Sequence, residues 1–302
     1  MHARDLIKDN VQLLSLPEVC LRVQQLADDP YADMEAFAEL VIQDPALTTR
    51  LLKLVNSAYY GFPGRVDTLT RAVKLIGIAE LRNLTLAMAA VDVFGGLEKE
   101  RFDMLSFWRH SVYCALVARY LAKRANILHA ERLFIAGLLH DVGRLLIFSL
   151  LPEQAHLILQ RQAQGETDFV AELAELDFDH AAVGYELLSV WRLPQTLCSA
   201  VAHHHYTEPS PDAPLEASLV HIANQIAHQV ESVALDQSSA HFNPFGGFTD
   251  PAILADTTDR PRIDAIPPAI WAATGLASNV VDAAVAAVAV DFDEMLNILY
   301  RV

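Results

Sequence analysis

From Leu133 to Leu139 every residue is apolar or glycine, and after His140-Asp141 the apolar run resumes from Val142 to Phe148, broken only by Gly143 and Arg144. A helix that is apolar on every side is a buried helix. The pattern therefore predicts one helix from about Glu131 to Leu150, enclosed by other elements of the fold. An imidazole and a carboxylate in its middle are costly unless something compensates them. A divalent cation, a buried arginine or a hydrogen-bond network would each serve.

The rest of the chain is also helical in pattern. Asp33 is placed to cap a helix carrying Met34, Phe37, Leu40 and Val41. Asp44-Pro45 opens the next, with Asp at the N-cap and Pro at the first helical position. That helix carries Leu47, Leu51, Leu54 and Val55 and ends near Asn56-Ser57, before a turn over Tyr60-Gly61-Phe62-Pro63-Gly64. Further helices are expected over 69–76 and 79–93. Gly95-Gly96 marks a boundary, so the chain reads as an N-terminal helical half (1–97) followed by a larger helical part (98–302). A long loop rich in Asp, Pro, Gly and Thr is expected from about Gln237 to Pro268, then helices through Trp271 and over 278–299. Alternating strand patterns are nearly absent. The fold class is all-α, a multi-helix bundle.

With 53% hydrophobic residues in 302, the chain can bury a substantial core. Its formal charge of −16 disfavours phosphate backbones, and no basic patch offsets it, so no nucleic-acid partner is expected. Cys20, Cys114 and Cys198 are too few and too scattered for a disulfide framework and fit a reducing compartment. No secretory pattern opens the chain. The Ala-rich stretch Val280–Val290, broken by Asp282, is too short to cross a bilayer. The expected location is the cytoplasm, with no membrane partner.

Twelve histidines stand out. Residues at i, i+3, i+4 and i+7 share a helix face, and each histidine can be placed by its companions. His110 lies with Phe107, Cys114, Val117 and Leu121, and points inward. His180 lies with Val183, Gly184, Leu187 and Leu188. In His203-His204-His205, the face of Leu197, Val201 and Ala202 continues to His204 and His205, leaving His203 outward. Val220, Ala223 and Ala227 bring Asn224 inward, whereas His221 and His228 share a face with Gln225. His156 reads as solvated; His2, His129 and His241 lie in terminal, polar or loop settings. The inward polar set is thus His110, His140, Asp141, His180, His204, His205 and Asn224. Imidazole with carboxylate suits Fe, Mn, Zn or Ni, and helix bundles build such sites from side chains facing one another. One inward histidine is more often a hydrogen-bonded core residue, and the whole set can equally be a buried polar network.

These residues, with Ile42-Gln43-Asp44-Pro45-Ala46-Leu47, Val55-Asn56-Ser57-Ala58, Ala72-Val73-Lys74-Leu75-Ile76-Gly77, Gly137 to Gly143, Asp179 to Gly184, Trp191-Arg192-Leu193-Pro194 and His204-His205, resemble the HD phosphohydrolase superfamily. The closer resemblance is to its HDOD branch, the HD-related output domain of bacterial signalling proteins, and covers roughly residues 10 to 230. It implies an HD-like helical domain after the N-terminal half. His110, His140 and Asp141 match the first metal ligands of active relatives, and His180, His204 and His205 match the additional ligands of the two-metal HD-GYP type. One or two divalent ions are implied. The later Asp of active relatives aligns with neutral Asn224, the GYP signature is replaced by Tyr206-Thr207-Glu208-Pro209, and Ser106 stands where an extra acidic ligand can lie. Arg144 matches a basic residue that can face substrate phosphate; the plainer reading pairs it with an acidic neighbour.

The resemblance implies first a non-catalytic signal-transduction adaptor that binds protein partners, with an HD-like centre that is structural or ligand-sensing. The alternative is a metal-dependent phosphohydrolase acting on a nucleotide or cyclic dinucleotide, its cation activating water and clamping a phosphoryl oxygen. A third reading is a sensor that binds a phosphorylated nucleotide without cleaving it. The oligomeric state is open.

Overall fold

A computed structural model describes residues 2–10, 14–27, 29, 33–95, 103–206, 215–237 (backbone alone over 231–237) and 266–300. The expected loop between Gln237 and Pro268 lies almost wholly outside the described residues, as do Thr207-Glu208-Pro209 and His241. Among the described residues every element is a helix: α1 (Ala3–Asp9), α2 (Glu18–Ala27), α3 (Met34–Val41), α4 (Pro45–Val55), α5 (Leu69–Ile76), α6 (Ile78–Gly95), α7 (Met104–Arg124) and α8 (Glu131–Leu139). Then follow α9 (Val142–Leu150), α10 (Pro152–Gln162), α11 (Asp168–Leu176), α12 (His180–Val190), α13 (Gln195–Ala202), α14 (Leu215–Gln237), α15 (Pro268–Thr274) and α16 (Val280–Leu299). The chain divides into two compact units, residues 14–96 with 289–302, and residues 1–13 with 97–288.

In the smaller unit the helix starts follow their caps. Asp33 accepts from the Ala36 amide at 2.7 Å, and Asp44 from the amides of Ala46 and Leu47 at 3.0 Å, with Pro45 opening α4. Each satisfies amides that the first turn cannot. Thr68 caps α5, and Gly77, at φ 85°, ends it in a conformation other residues avoid. Phe37, Val41, Leu51, Leu54, Leu81 and Leu84 form the core. Within it Arg50 is buried, pairs with Asp92 at 2.7 Å and donates to the carbonyls of Ile298 and Leu299 at 3.3 and 2.7 Å. It thereby supplies the donors that the end of α16 lacks.

In the larger unit α7 packs against α8 and α14, α9 against α12, and α13 against α8, α12 and α14. Two glycines set how closely these helices approach. A β-carbon on Gly137 would lie 2.8 Å from Ala115 Cα on α7, and one on Gly143 only 2.0 Å from the carbonyl oxygen of His180. One expectation needs correction. The stretch from Glu131 to Leu150 is not a single regular helix: α8 ends at Leu139, Asp141 takes φ −100°, ψ 5°, and α9 begins at Val142. Neighbours on an ideal helix diverge by about 100°; the interruption lets His140 and Asp141 turn towards one another. The stretch has the length and apolarity of a membrane span, but 89% of its most apolar window is buried in the fold, so it serves as a core element.

Candidate metal centre

Asp141 is the hub of the larger unit. Its Oδ1 lies 3.1 Å from Nε2 of His180, 3.3 Å from Nε2 of His140 and 3.5 Å from Nε2 of His204. Its Oδ2 is 4.0 Å from Nε2 of His110. Nε2 of His205 sits 2.7 Å from Nε2 of His180. Five of the six residues are no more than 2% exposed, and His205 is partly exposed. They arrive from α7, the α8–α9 junction, the start of α12 and the end of α13, so no two consecutive helices could build the group alone.

The outer nitrogens explain why the inner ones face the hub. Nδ1 of His140 lies 2.8 Å from the Gly137 carbonyl, and Nδ1 of His204 lies 2.7 Å from that of Val201. A carbonyl oxygen only accepts, so both Nδ1 atoms carry a proton, and in the neutral ring the opposite Nε2 offers its lone pair inward. His180 is held differently. Glu172 on α11, fully buried, accepts from its Nδ1 at 2.6 Å and from its backbone amide at 2.8 Å. This is the support that metal-binding histidines receive from a second layer of groups.

Charge follows position. Burial holds the His140 imidazole well below its ordinary range, neutral and ready to ligate, although Asp141 pulls the other way. Burial also pulls His180 down, but the carboxylates of Glu172 and Asp141 outweigh it and raise it to about 10. Burial pushes the Asp141 carboxyl up, and the adjacent His140 and His180 more than reverse this, holding it well below the usual range.

The donor set fits a cation. Nε2 of His140, Nε2 of His204 and Oδ1 of Asp141 are buried and make no hydrogen bond, yet they converge. Ligands about 2.1 Å from one ion stand roughly 3.0–3.4 Å apart in octahedral or tetrahedral geometry, close to the 3.1–3.5 Å separating Asp141 Oδ1 from three imidazoles. Among the described residues, two groups have all their ligand atoms within 4.8 Å of one another: Asp141 with His180, His204 and His205, and Asp141 with His110 and His140. The residues could hold a metal ion.

Of the other residues singled out in the sequence, Asn224 is buried on α14 and its Oδ1 makes no hydrogen bond. It stands between His221, whose Nδ1 is 2.8 Å from the His204 carbonyl, and His228, whose ring centroid is 4.5 Å from that of His110. Those two histidines, read from the sequence as a polar face, both touch the centre; α14 is buried on more than one side, so its wheel has no single dry face. Arg144 is buried, pairs with Asp168 and lies 4.0 Å from Asp141 Oδ2. His203 points away, its Nδ1 2.8 Å from the Ser199 carbonyl, and His156 is exposed beside Gln160. Glu172 and Phe169, which stacks on His205 with centroids 5.1 Å apart, escaped the sequence reading. Their signal was there: Phe169, Glu172 and Leu176 share one face of α11.

The family model of the HDOD domain matches residues 13–207. Among solved structures, a protein of Shewanella amazonensis provisionally named a phosphohydrolase superposes with a TM-score of 0.72 at 24% identity, covering 97% of each chain. An HDOD domain protein of unknown function from Geobacter sulfurreducens gives a TM-score of 0.65 at 22% identity, over 98% of this chain and 100% of the other. At these identities the likeness is one of fold. An uncharacterized protein of Treponema pallidum is 31% identical over 200 residues, 65% of this chain; the match spans 38% of that relative's length.

Proposed function

The chain belongs to the HDOD domain family, and from that premise we propose that it is a signal-transduction output module that binds a protein partner, with a divalent cation stabilising its HD-like centre. The ligands are His110, His140, Asp141, His180, His204 and His205, with Asn224 in the place of an acidic ligand. The observation that carries this reading is that the centre is built and its hub is buried: imidazole nitrogens of His140, His180 and His204 converge on Asp141, and Asp141 is only 2% exposed. A phosphate ester needs an open coordination position on the cation. Arg144, the residue placed to meet phosphate, is instead engaged by Asp168. Neutral Asn224 leaves the donor set one charge short of a catalytic one.

The phosphohydrolase reading rests on the same convergent imidazoles, which a purely structural core would not require. One experiment separates the two. Metal is measured by elemental analysis on purified protein, with His140→Ala as control, and the loaded protein is assayed against cyclic dinucleotides and nucleoside phosphates. The module reading expects near-stoichiometric metal, its loss in the variant, no turnover, and retention of a captured partner by a folded His140→Ala, Asp141→Ala protein. Metal-dependent hydrolysis abolished by Asp141→Ala would establish the enzyme instead.

A further inference from the structure

α11 contributes no ligand to the centre, yet three of its residues face it. Asp168 pairs with Arg144, Phe169 stacks on His205, and Glu172, one turn beyond Asp168, receives two N–H groups of His180. Glu172 is 0% exposed, and its second oxygen, Oε1, makes no hydrogen bond. A buried carboxylate with one oxygen unsatisfied is expensive. Two N–H contacts alone would be met as well by a neutral amide oxygen.

His140 and His204 rest on main-chain carbonyls. His180 differs in resting on a side-chain carboxyl, that of Glu172. A carboxylate on Nδ1–H makes the opposite nitrogen a stronger donor and fixes the ring's orientation. We propose that Glu172 is a positioning residue for the metal centre: through Nδ1–H of His180 it aims and strengthens that residue's Nε2 as a ligand in the set formed with Asp141, His204 and His205. α11 is then the supporting helix of the centre. This rests on the metal reading above.

The test uses Co2+ and Zn2+ on the full chain after chelator treatment, with affinity read by chelator competition and the Co2+ site by its visible absorption. The wild-type protein is measured first; if it binds neither ion, the metal reading itself fails. Given wild-type binding, Glu172→Gln is expected to weaken it ten- to a hundredfold and to shift the Co2+ bands, with Glu172→Asp recovering part of the loss. Wild-type affinity and an unchanged spectrum in Glu172→Gln would overturn the proposal. Should both variants fail to fold, long-range proton–nitrogen NMR of the zinc-loaded wild-type protein decides. A proton retained on His180 Nδ1 in a strong hydrogen bond is expected; an Nδ1 that binds the metal or bears no proton overturns the proposal.

Discussion

The α-carbon of Gly143 faces the carbonyl oxygen of His180 so closely that a β-carbon there would lie 2.0 Å from it and 2.8 Å from the Gly184 amide nitrogen. Both neighbours are backbone, so neither can step aside by changing rotamer. Gly143→Ala must push α9 away from α12 and carry His180 off Asp141. A destabilisation of at least about 2 kcal/mol is expected, read by urea unfolding. Gly95→Ala, where nothing stands within 4 Å, should be neutral or slightly stabilising.

Asn224→Asp has effects of opposite sign with and without metal. The new charge lies in a buried site, so the chelator-treated variant should melt below wild type. With Mn2+, Fe2+ or Zn2+ added it should bind more tightly than wild type, by roughly tenfold for a charge that reaches the ion, and the order of melting temperatures should narrow or invert. Thermal melts with and without metal measure both.

The metal-free protein should lose stability on the alkaline side. His180 is raised to about 10, above an unfolded value of about 6.5. Its contribution is therefore fully present below about pH 6.5 and is lost as the pH rises through 10. Urea melts of chelator-treated protein at several pH values between 6.5 and 10 should fall more steeply for wild type than for His180→Asn. Cation binding should strengthen over the same interval, since the ion competes with the Nε2 proton.

Arg50 and Asp92 are an unequal pair. Arg50 is buried, while the Asp92 side chain is 60% exposed. Asp92→Asn should cost under about 1 kcal/mol, because a solvated carboxylate loses little. Arg50→Ala strands the carbonyls of Ile298 and Leu299 and should cost about 2–3 kcal/mol. Hydrogen exchange should then rise in the last turn of α16.

Asp44→Ala removes the acceptor for two amides at the start of α4 and should cost about 1 kcal/mol in the urea melt, with no effect on metal content.

What could be read from the chain alone was whatever is local. Asp33 and Asp44-Pro45 mark helix starts because a short acceptor beside free amides does the same work in any fold. Inward histidines could be placed because the face of His110 or His180 is decided by residues within two turns. The break at Asp141 was not legible: apolar residues continue on both sides, and what permits it is the approach of Gly143 to a helix some forty residues away. Glu172 was missed for a like reason, since its meaning comes from His180 on another helix. His221 and His228 were misjudged because α14 packs against α7, α8 and α13 together, and a two-sided wheel misdescribes such a helix.

The interruption between α8 and α9 also governs how this region can be edited. Gly137 is seated on α7 and Gly143 on α12, so the five residues between those seats are clamped at both ends, with His140 and Asp141 inside the span. Inserting or deleting one residue would turn the intervening side chains by about a third of a revolution while the seats stayed put. Such a change in length should be tolerated less than almost any replacement in kind. Grafting this centre onto another helical scaffold would require transferring the whole span from Gly137 to Gly143 and two partner helices that can receive its glycines.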